Sequence, residues 1–299
     1  MRTLYQVDSF TRTPFTGNPA GVVLDAEGMT EHDMQAVARE LNNSETAFVL
    51  PADGDDHDVR VRFFTPTTEV PTCGHATVAA HYARTVEYGL PAGSLVQKTG
   101  TGLLQRIDVS HEDGIHIAMR QGEPEFGPEL TGAQADRLVR ALGVHTRDLP
   151  GSPIQIVSTG HSKVLVELKS RHTVDALAPD MAALTNLSRA VGSNGFMIFT
   201  RDTGHPDLLT WSRMFAPAIG ITEDPVTGNG HGPLGAYLAH HDLAPLTGGA
   251  LEFTGRQGVA MGRPGDVRVR VVSAGGLEVT ISGEAVIAFR GELAERPVE

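Results

Sequence analysis

The amino-acid sequence predicts an α+β protein made of two pseudo-twofold-related halves, and three observations carry that prediction. Short apolar runs are too numerous for a plain strand–helix alternation. Three segment pairs recur in one order at nearly one spacing: ARELNNSETAFV (38–49) with SRAVGSNGFMIF (188–199), RFFTP (62–66) with RMFAP (213–217), and EVPTCGHATVAAHY (69–82) with EDPVTGNGHGPLGAY (223–237). Each half also holds a small-residue helix preceded by glycine, within PTCGHATVAAHYA (71–83) and EDPVTGNGHGPLGAYLAHH (223–241). In this pairing Glu69 meets Glu223, Pro71 meets Pro225, Cys73 meets Thr227, Gly74 meets Gly228 and Glu45 meets Gly195. The expected halves are 1–121 and 122–283, with the active cleft between them, because domain interfaces favour sites.

The elements follow in order. YQVDSF alternates as a strand, and GNPAGVVL (17–24) reads as a turn and a second strand. MTEHDMQAVARELNN reads as a helix that Thr30 can cap, with Asp33 three residues on and Met34, Val37, Ala38 and Leu41 on one face. The strands ETAFVL and DVRVRFF come next. IDVSHEDGIHIAM (107–119) has the alternation and Asp-Gly turn of a hairpin, and GEPEFGPE (122–129) suits a linker. Beyond it the order repeats: strands PIQIVS and KVLVEL, a helix from about Pro179 to Val191, then the strand GFMIF. The tail from 267 to 293 is strands joined by Gly-rich turns.

Composition narrows the function. A net charge of −12 disfavours broad nucleic-acid binding and anionic membranes as partners. No apolar run is long enough to span a bilayer, and the N-terminus has no apolar signal-peptide core, so the expectation is a cytoplasmic protein. The single cysteine, Cys73, excludes an internal disulfide and any multi-cysteine metal site, and the histidines lack ligand spacing, so no metal is expected.

Four side chains attract chemical attention. Glu45 stands where a helix stops and an apolar strand begins. Buried there, its pKa would rise toward neutrality and suit it to carrying protons; a solvated loop glutamate is the alternative. Cys73 precedes a helix start, where thiolates are stabilised, although a free cysteine is more often a small buried apolar residue. Its counterpart Thr227 excludes a symmetrical two-thiol racemase. His75 and Asp224 lie near the two helix starts; the first can donate a hydrogen bond or relay a proton, the second can orient a polar group or hold His75. Two helix N-termini facing one pocket would bind a carboxylate without a single Lys or Arg.

At these residues the chain resembles the PhzF-like family of phenazine-biosynthesis isomerases, within the diaminopimelate-epimerase-like fold. The resemblance runs through DSFTxxPFxGNPAGVV (8–23), NSETAFV, RFFTPTxEVPxCGHATVAA, EDPVTG, GRQGVAMGRP (255–264) and SGEAVIAF. It implies a curved, mostly antiparallel or mixed sheet around a central helix in each half. It also implies return of the last strand, about 284–299, to the first half, a homodimer, and no cofactor. The proton-transferring role falls on Glu45, with His75 and Asp224 in support. Substrate contacts fall on Asn18, Ser44, Cys73, Gly74, Thr227, Gly228 and Asn229. Asn229 departs from the small Ser typical of phenazine-pathway members, which argues for a different substrate.

The resulting expectation is a cofactor-independent isomerase or epimerase of a small carboxylic acid, with Glu45 as general acid/base. Two alternatives stand beside it: a one-thiol dehydratase or epimerase using Cys73, and a non-catalytic protein that binds small acids.

Overall fold

The structure is a computed structural model and describes residues 2–273 and 275–294. The chain divides into two compact units, Met1–Arg120 together with Ser282–Glu299, and Gln121–Ile281.

The first unit runs β1 (Arg2–Ser9), β2 (Asn18–Val23), α1 (Glu31–Leu41), β3 (Thr46–Pro51), β4 (Val59–Phe64), β5 (Glu69–Val70), α2 (Gly74–Tyr88), β6 (Gly93–Thr99), β7 (Leu104–Ser110) and β8 (His116–Arg120). The last strand of the chain, β18 (Ala285–Leu293), returns to pair antiparallel with β1, from Ser9 opposite Ala285 to Arg2 opposite Leu293. Residues 295–299 of the expected return lie outside the described residues. The sheet order is β18-β1-β2-β3-β4-β6-β7-β8, with β2–β3 and β4–β6 parallel and the other neighbours antiparallel. β5 adds to β4 beside β6.

The second unit repeats this plan with β9 (Glu125–Glu129), α3 (Gly132–Leu142), β10 (Gln155–Ser158), β11 (Lys163–Glu167), α4 (Arg171–Asp175), α5 (Met181–Val191), β12 (Phe196–Thr200), β13 (Thr210–Ala216), β14 (Ile221–Asp224), α6 (Gly228–His240), β15 (Ala250–Gln257) and β16 (Gly265–Ser273). β17 (Leu277–Gly283) follows and runs across the unit boundary. The order β9-β10-β11-β12-β13-β15-β16, with β14 on β13, matches the run from β18 to β7 in the first unit strand for strand, including the two parallel steps.

Local chemistry explains the elements. Thr30 and Asp33 form a reciprocal capping box on α1, and Asn42 ends it in the left-handed conformation at φ 53°. Beneath α1, Met34 and Ala38 pack on Val23, Phe48 and Phe64, the two rings meeting edge to face with centroids 5.6 Å apart. In the second unit α3 and α5 cover the equivalent ground, with Leu138, Leu142, Leu184 and Leu187 on Val164, Val166, Phe196 and Phe215. The central helices are α2 and α6. α2 packs against β1, β2, β3, β8 and β18, and α6 against β10, β11, β15 and β16. Alanines 76, 79, 80 and 83 of α2 are fully buried, as is Ala236 of α6, and a Cβ at Gly235 would lie 2.6 Å from Val269 Cγ1 of β16, so small residues permit close approach to the sheet.

Some expectations change. The segment expected as a linker, 122–129, contains β9, because the backbone of Glu125, Phe126 and Glu129 completes the edge of β10 despite Pro128. α3, whose buried residues are Leu138, Ala141 and Leu142, is a helix beyond those expected. The helix expected to reach Asn43 stops at Leu41. The β7–β8 hairpin forms as expected, pairing Ile107 with Met119 and Val109 with Ile117, but Ile115 stays in the loop. No helix among the described residues is long and apolar enough to cross a membrane.

Candidate active site

Glu45 follows the left-handed stop of α1 and immediately precedes β3. Its carbonyl accepts a hydrogen bond from Gly21 N–H at 3.4 Å, which ties its backbone to β2. Its side chain is 14% exposed, and its Oε2 lies 3.4 Å from His75 Nε2. Burial raises the carboxyl pKa, opposed in part by hydrogen bonds from Ser44 and Cys73. A carboxyl with little water around it holds its proton more tightly, which is what proton exchange with carbon near neutrality requires.

The imidazole of His75 is held on both edges. Ser44 Oγ lies 3.2 Å from Nε2, and Cys73 Sγ lies 3.4 Å from Nδ1. The Ser9 hydroxyl donates to the His75 carbonyl at 2.7 Å, which fixes the backbone beneath the ring. Asn18 is buried opposite Ser9 in the β1–β2 ladder. Cys73 is the N-cap of α2 and supplies no side-chain cap, and Gly74 opens the helix. Within the first unit, half-buried Glu45 and Ser44 and buried Cys73 and His75 therefore form one acid–thiol–imidazole group at the positive end of a helix.

Carboxylate, thiol and imidazole donor atoms lie within 4.8 Å of one another, a donor set that suits zinc in type. The closest contacts use opposite ring nitrogens, Nδ1 toward sulfur and Nε2 toward the carboxylate. That geometry makes the ring a bridge for protons more readily than one arm of a chelate.

In the second unit, Asp224 ends β14 with a buried carboxylate that accepts the Thr227 hydroxyl. The Gln257 amide donates to Asp224 O at 2.7 Å and to Thr227 Oγ1 at 3.1 Å, and its oxygen accepts Thr227 N–H at 3.1 Å. Thr227 is the N-cap of α6 without a side-chain cap, so it occupies the place of Cys73. Gly228 is buried and Asn229 half-buried in the first turn. Gly195 stands in the place of Glu45: its carbonyl accepts Val164 N–H as the Glu45 carbonyl accepts Gly21 N–H. A Cβ there would lie 2.8 Å from Phe215 O, so this half has no room for a side chain at that point.

Three buried residues join the candidate set only in the structure. Ser9 sits in the DSF run and Gln257 in GRQG, and the side chain of each bonds to backbone that spacing alone does not bring near it. The third is Lys163, buried at the start of β11, close enough to Asp224 for the carboxylate to favour its charge, while desolvation lowers its pKa to about 8. This unit therefore carries a buried lysine.

The phenazine biosynthesis-like protein family matches residues 7–291. An uncharacterized isomerase of Clostridium acetobutylicum is 50% identical over 293 residues, covering 97% of each chain. The trans-2,3-dihydro-3-hydroxyanthranilate isomerase of Pseudomonas aeruginosa is 34% identical over 294 residues, covering 96% of this chain and 98% of that one. The crystal structure of a PhzF-family phenazine biosynthesis protein from Bacillus anthracis superposes with a TM-score of 0.89 at 32% identity, covering 98% and 99%. A hydroxyproline epimerase from Agrobacterium vitis shares the fold at 12% identity and a TM-score of 0.63, covering 97% and 91%. Residues, scaffold and relatives converge: the chain belongs to the PhzF phenazine biosynthesis-like family of isomerases, on the α+β fold of the diaminopimelate-epimerase-like racemases.

Proposed function

We propose that the enzyme is a cofactor-independent isomerase or epimerase that moves a proton from one carbon to another, or to the other face, of a small carboxylic acid. Glu45 removes the proton and returns it. His75 steadies the Glu45 carboxyl and relays hydrogen bonds from Ser44 and Cys73. Asp224 orients a polar substituent, and the uncapped first turns of α2 and α6, with Gly74, Gly228 and Asn229, receive the negative charge that develops on the substrate. The observation that carries this reading is the desolvated Glu45 carboxyl in contact with His75 Nε2. The same reading takes the enzyme to be a cytoplasmic homodimer that uses neither nucleic acid nor membrane as a partner.

The test is deuterium incorporation in D₂O. The first substrate is trans-2,3-dihydro-3-hydroxyanthranilate, on which the Pseudomonas relative is named; a panel of cyclic amino acids follows, because Asn229 suggests another ring. Glu45→Gln is expected to lower exchange by about 10²–10⁴-fold. Full turnover by this variant would end the assignment. Stability gives a second readout. A carboxyl with a raised folded-state pKa destabilises the native state as pH climbs past its ordinary range. Glu45→Gln should therefore have a higher Tm than wild type at pH 7, with the gap closing below pH 4.

The Cys73 Sγ–His75 Nδ1 contact of 3.4 Å supports one further reading, in which an imidazole-activated thiolate takes the proton. Loss of exchange in Cys73→Ala together with full exchange in Glu45→Gln would favour it.

A further inference from the structure

The two units differ by one helix. In the second, α3 follows β9 and packs on α5, and its Leu138, Ala141 and Leu142 share a core with Leu187 of α5 and with Ile154. In the first, β18 takes the place of β9 and α1 that of α5, and among the described residues no helix takes the place of α3. The repeat register, which sets 38 beside 188, shows the consequence. Leu187 and Ile154 are 1% and 8% exposed, whereas their counterparts Val37 and Leu4 are only half-buried. With Leu41 and Leu293 they line an open groove of about 610 Å³ between α1 and the β1–β18 ladder. The surface that the second unit covers with a helix is therefore an apolar trough in the first.

The covered half also shows what fits. α3 is 11 residues long, about three turns, and sets Ala135, Leu138 and Leu142 at the i, i+3 and i+7 spacing of a helix laid in a groove. Its Arg137 and Arg140 border the seam with α5, beside Asp180. Charge then separates the two seats. Positions that are Ala183 and Ala190 on α5 are Asp33 and Glu40 on α1, and both line the groove; Asp33 also closes the α1 cap, and Glu40 is exposed. Arg2 lines it too, and donates to the carbonyls of Asp25 and Glu27. A second copy of the chain is the poorer occupant. Packing α1 on α1 about a twofold axis brings these acids together, on molecules that each carry a net charge of −12. We propose that this groove docks a partner protein through an amphipathic helix of about three turns, apolar on one face and flanked by Lys or Arg.

The probe is α3 itself, residues 131–143 as a fluorescein-labelled peptide. A staple between positions 132 and 136, both exposed, keeps so short a segment helical. Added to the full-length protein, the peptide should bind with a Kd of about 100 μM or tighter by fluorescence anisotropy. Val37→Glu puts a charge on the groove floor, and Glu40→Lys reverses an exposed charge without touching the core. Each should weaken binding at least tenfold, with thermal melts showing that both variants fold. A peptide carrying Arg137→Glu and Arg140→Glu should bind wild type at least tenfold more weakly and regain affinity on Glu40→Lys. No binding at about 1 mM peptide, unchanged binding in both variants, or equal binding of the charge-reversed peptide would overturn the proposal. Either competing occupant would do the same. Conversion of a wild-type dimer to monomer by Val37→Glu, seen by sedimentation, assigns the groove to a second copy. Peptide binding at least tenfold tighter after removal of residues 295–299 assigns it to the chain's own end.

Discussion

In the first unit Arg62 grips Glu69 through two parallel bonds of 2.8 and 2.6 Å and lies 5.0 Å over the Phe64 ring. In the second, Arg213 grips Glu223 through two bonds of 2.8 Å and lies 4.9 Å over Phe215. The central helices repeat as faithfully: Thr77 bonds back to Cys73 O at 2.7 Å, and His231 bonds back to Thr227 O at 3.0 Å. Around these shared supports the chemistry diverges. Glu45 faces Gly195 in the pairing, Cys73 faces Thr227, His75 faces Asn229 and Ala20 faces Lys163. The duplicated parts hold strands and helix starts in place, and the unmatched parts are acid, base, thiol and cation. Duplication therefore supplies the frame, and the candidate site residues fall where the two halves differ.

The comparison can be broken at its supports. Arg213→Leu leaves the half-buried Glu223 beside an apolar side chain and should cost about 3–5 kcal/mol. Arg62→Leu should cost less, about 1–3 kcal/mol, because Arg213 NH1 also serves the carbonyls of Val174, Asp175 and Leu177. Urea unfolding of the two variants measures the difference; equal losses would mean that the extra carbonyl bonds contribute nothing.

Each unit also buries a neutral histidine in its central helix, His81 in α2 and His231 in α6, both lowered to a pKa of about 4 by desolvation. Unfolding restores an ordinary value near 6.5, so the unfolded chain binds more protons between the two values. Stability from this source is complete above pH 6.5 and falls as pH drops toward 4, by about 3 kcal/mol per histidine. Unfolding free energies measured from pH 7 to pH 4 should show this slope, and His231→Gln should flatten about half of it.

The asymmetry itself can be probed at Gly195. Gly195→Ala pushes a methyl group toward Phe215 O and should cost about 1–3 kcal/mol, whereas Ser44→Ala, beside the matching site of the first unit, should leave stability within about 1 kcal/mol. Thermal melts of both variants decide this. The smallest effect is expected at the thiol. With Glu45 as the proton carrier, Cys73→Ala should lower deuterium exchange less than tenfold; a greater loss moves the chemistry toward sulfur.

Much of this is legible in the sequence. The repeat register, Glu45 against Gly195 and Cys73 against Thr227, could be read because helix stops and Gly-opened helices leave fixed marks in a sequence. β9 and α3 were missed for local reasons. The first carries Pro and Gly in a strand stabilised by β10 rather than by its own propensity. The second is a short amphipathic helix between glycines. Lys163 was missed because its significance is burial, and KVLVEL places a charged residue where a strand normally meets water. Glu45 was singled out by its position, but only the structure shows Ser44, Cys73 and His75 gathered around it.

The strand returned from the chain's end sets an order of assembly. β1 waits for β18, so the first unit lacks an edge until the second unit has been made, whereas the second receives its corresponding edge, β9, from the residues just before it. At roughly 5–20 residues per second, the early half spends on the order of ten seconds or more with that edge bare. During synthesis the later half can close first, and the N-terminal strands depend on the last strand, not on nascent neighbours, for their protection against wrong partners.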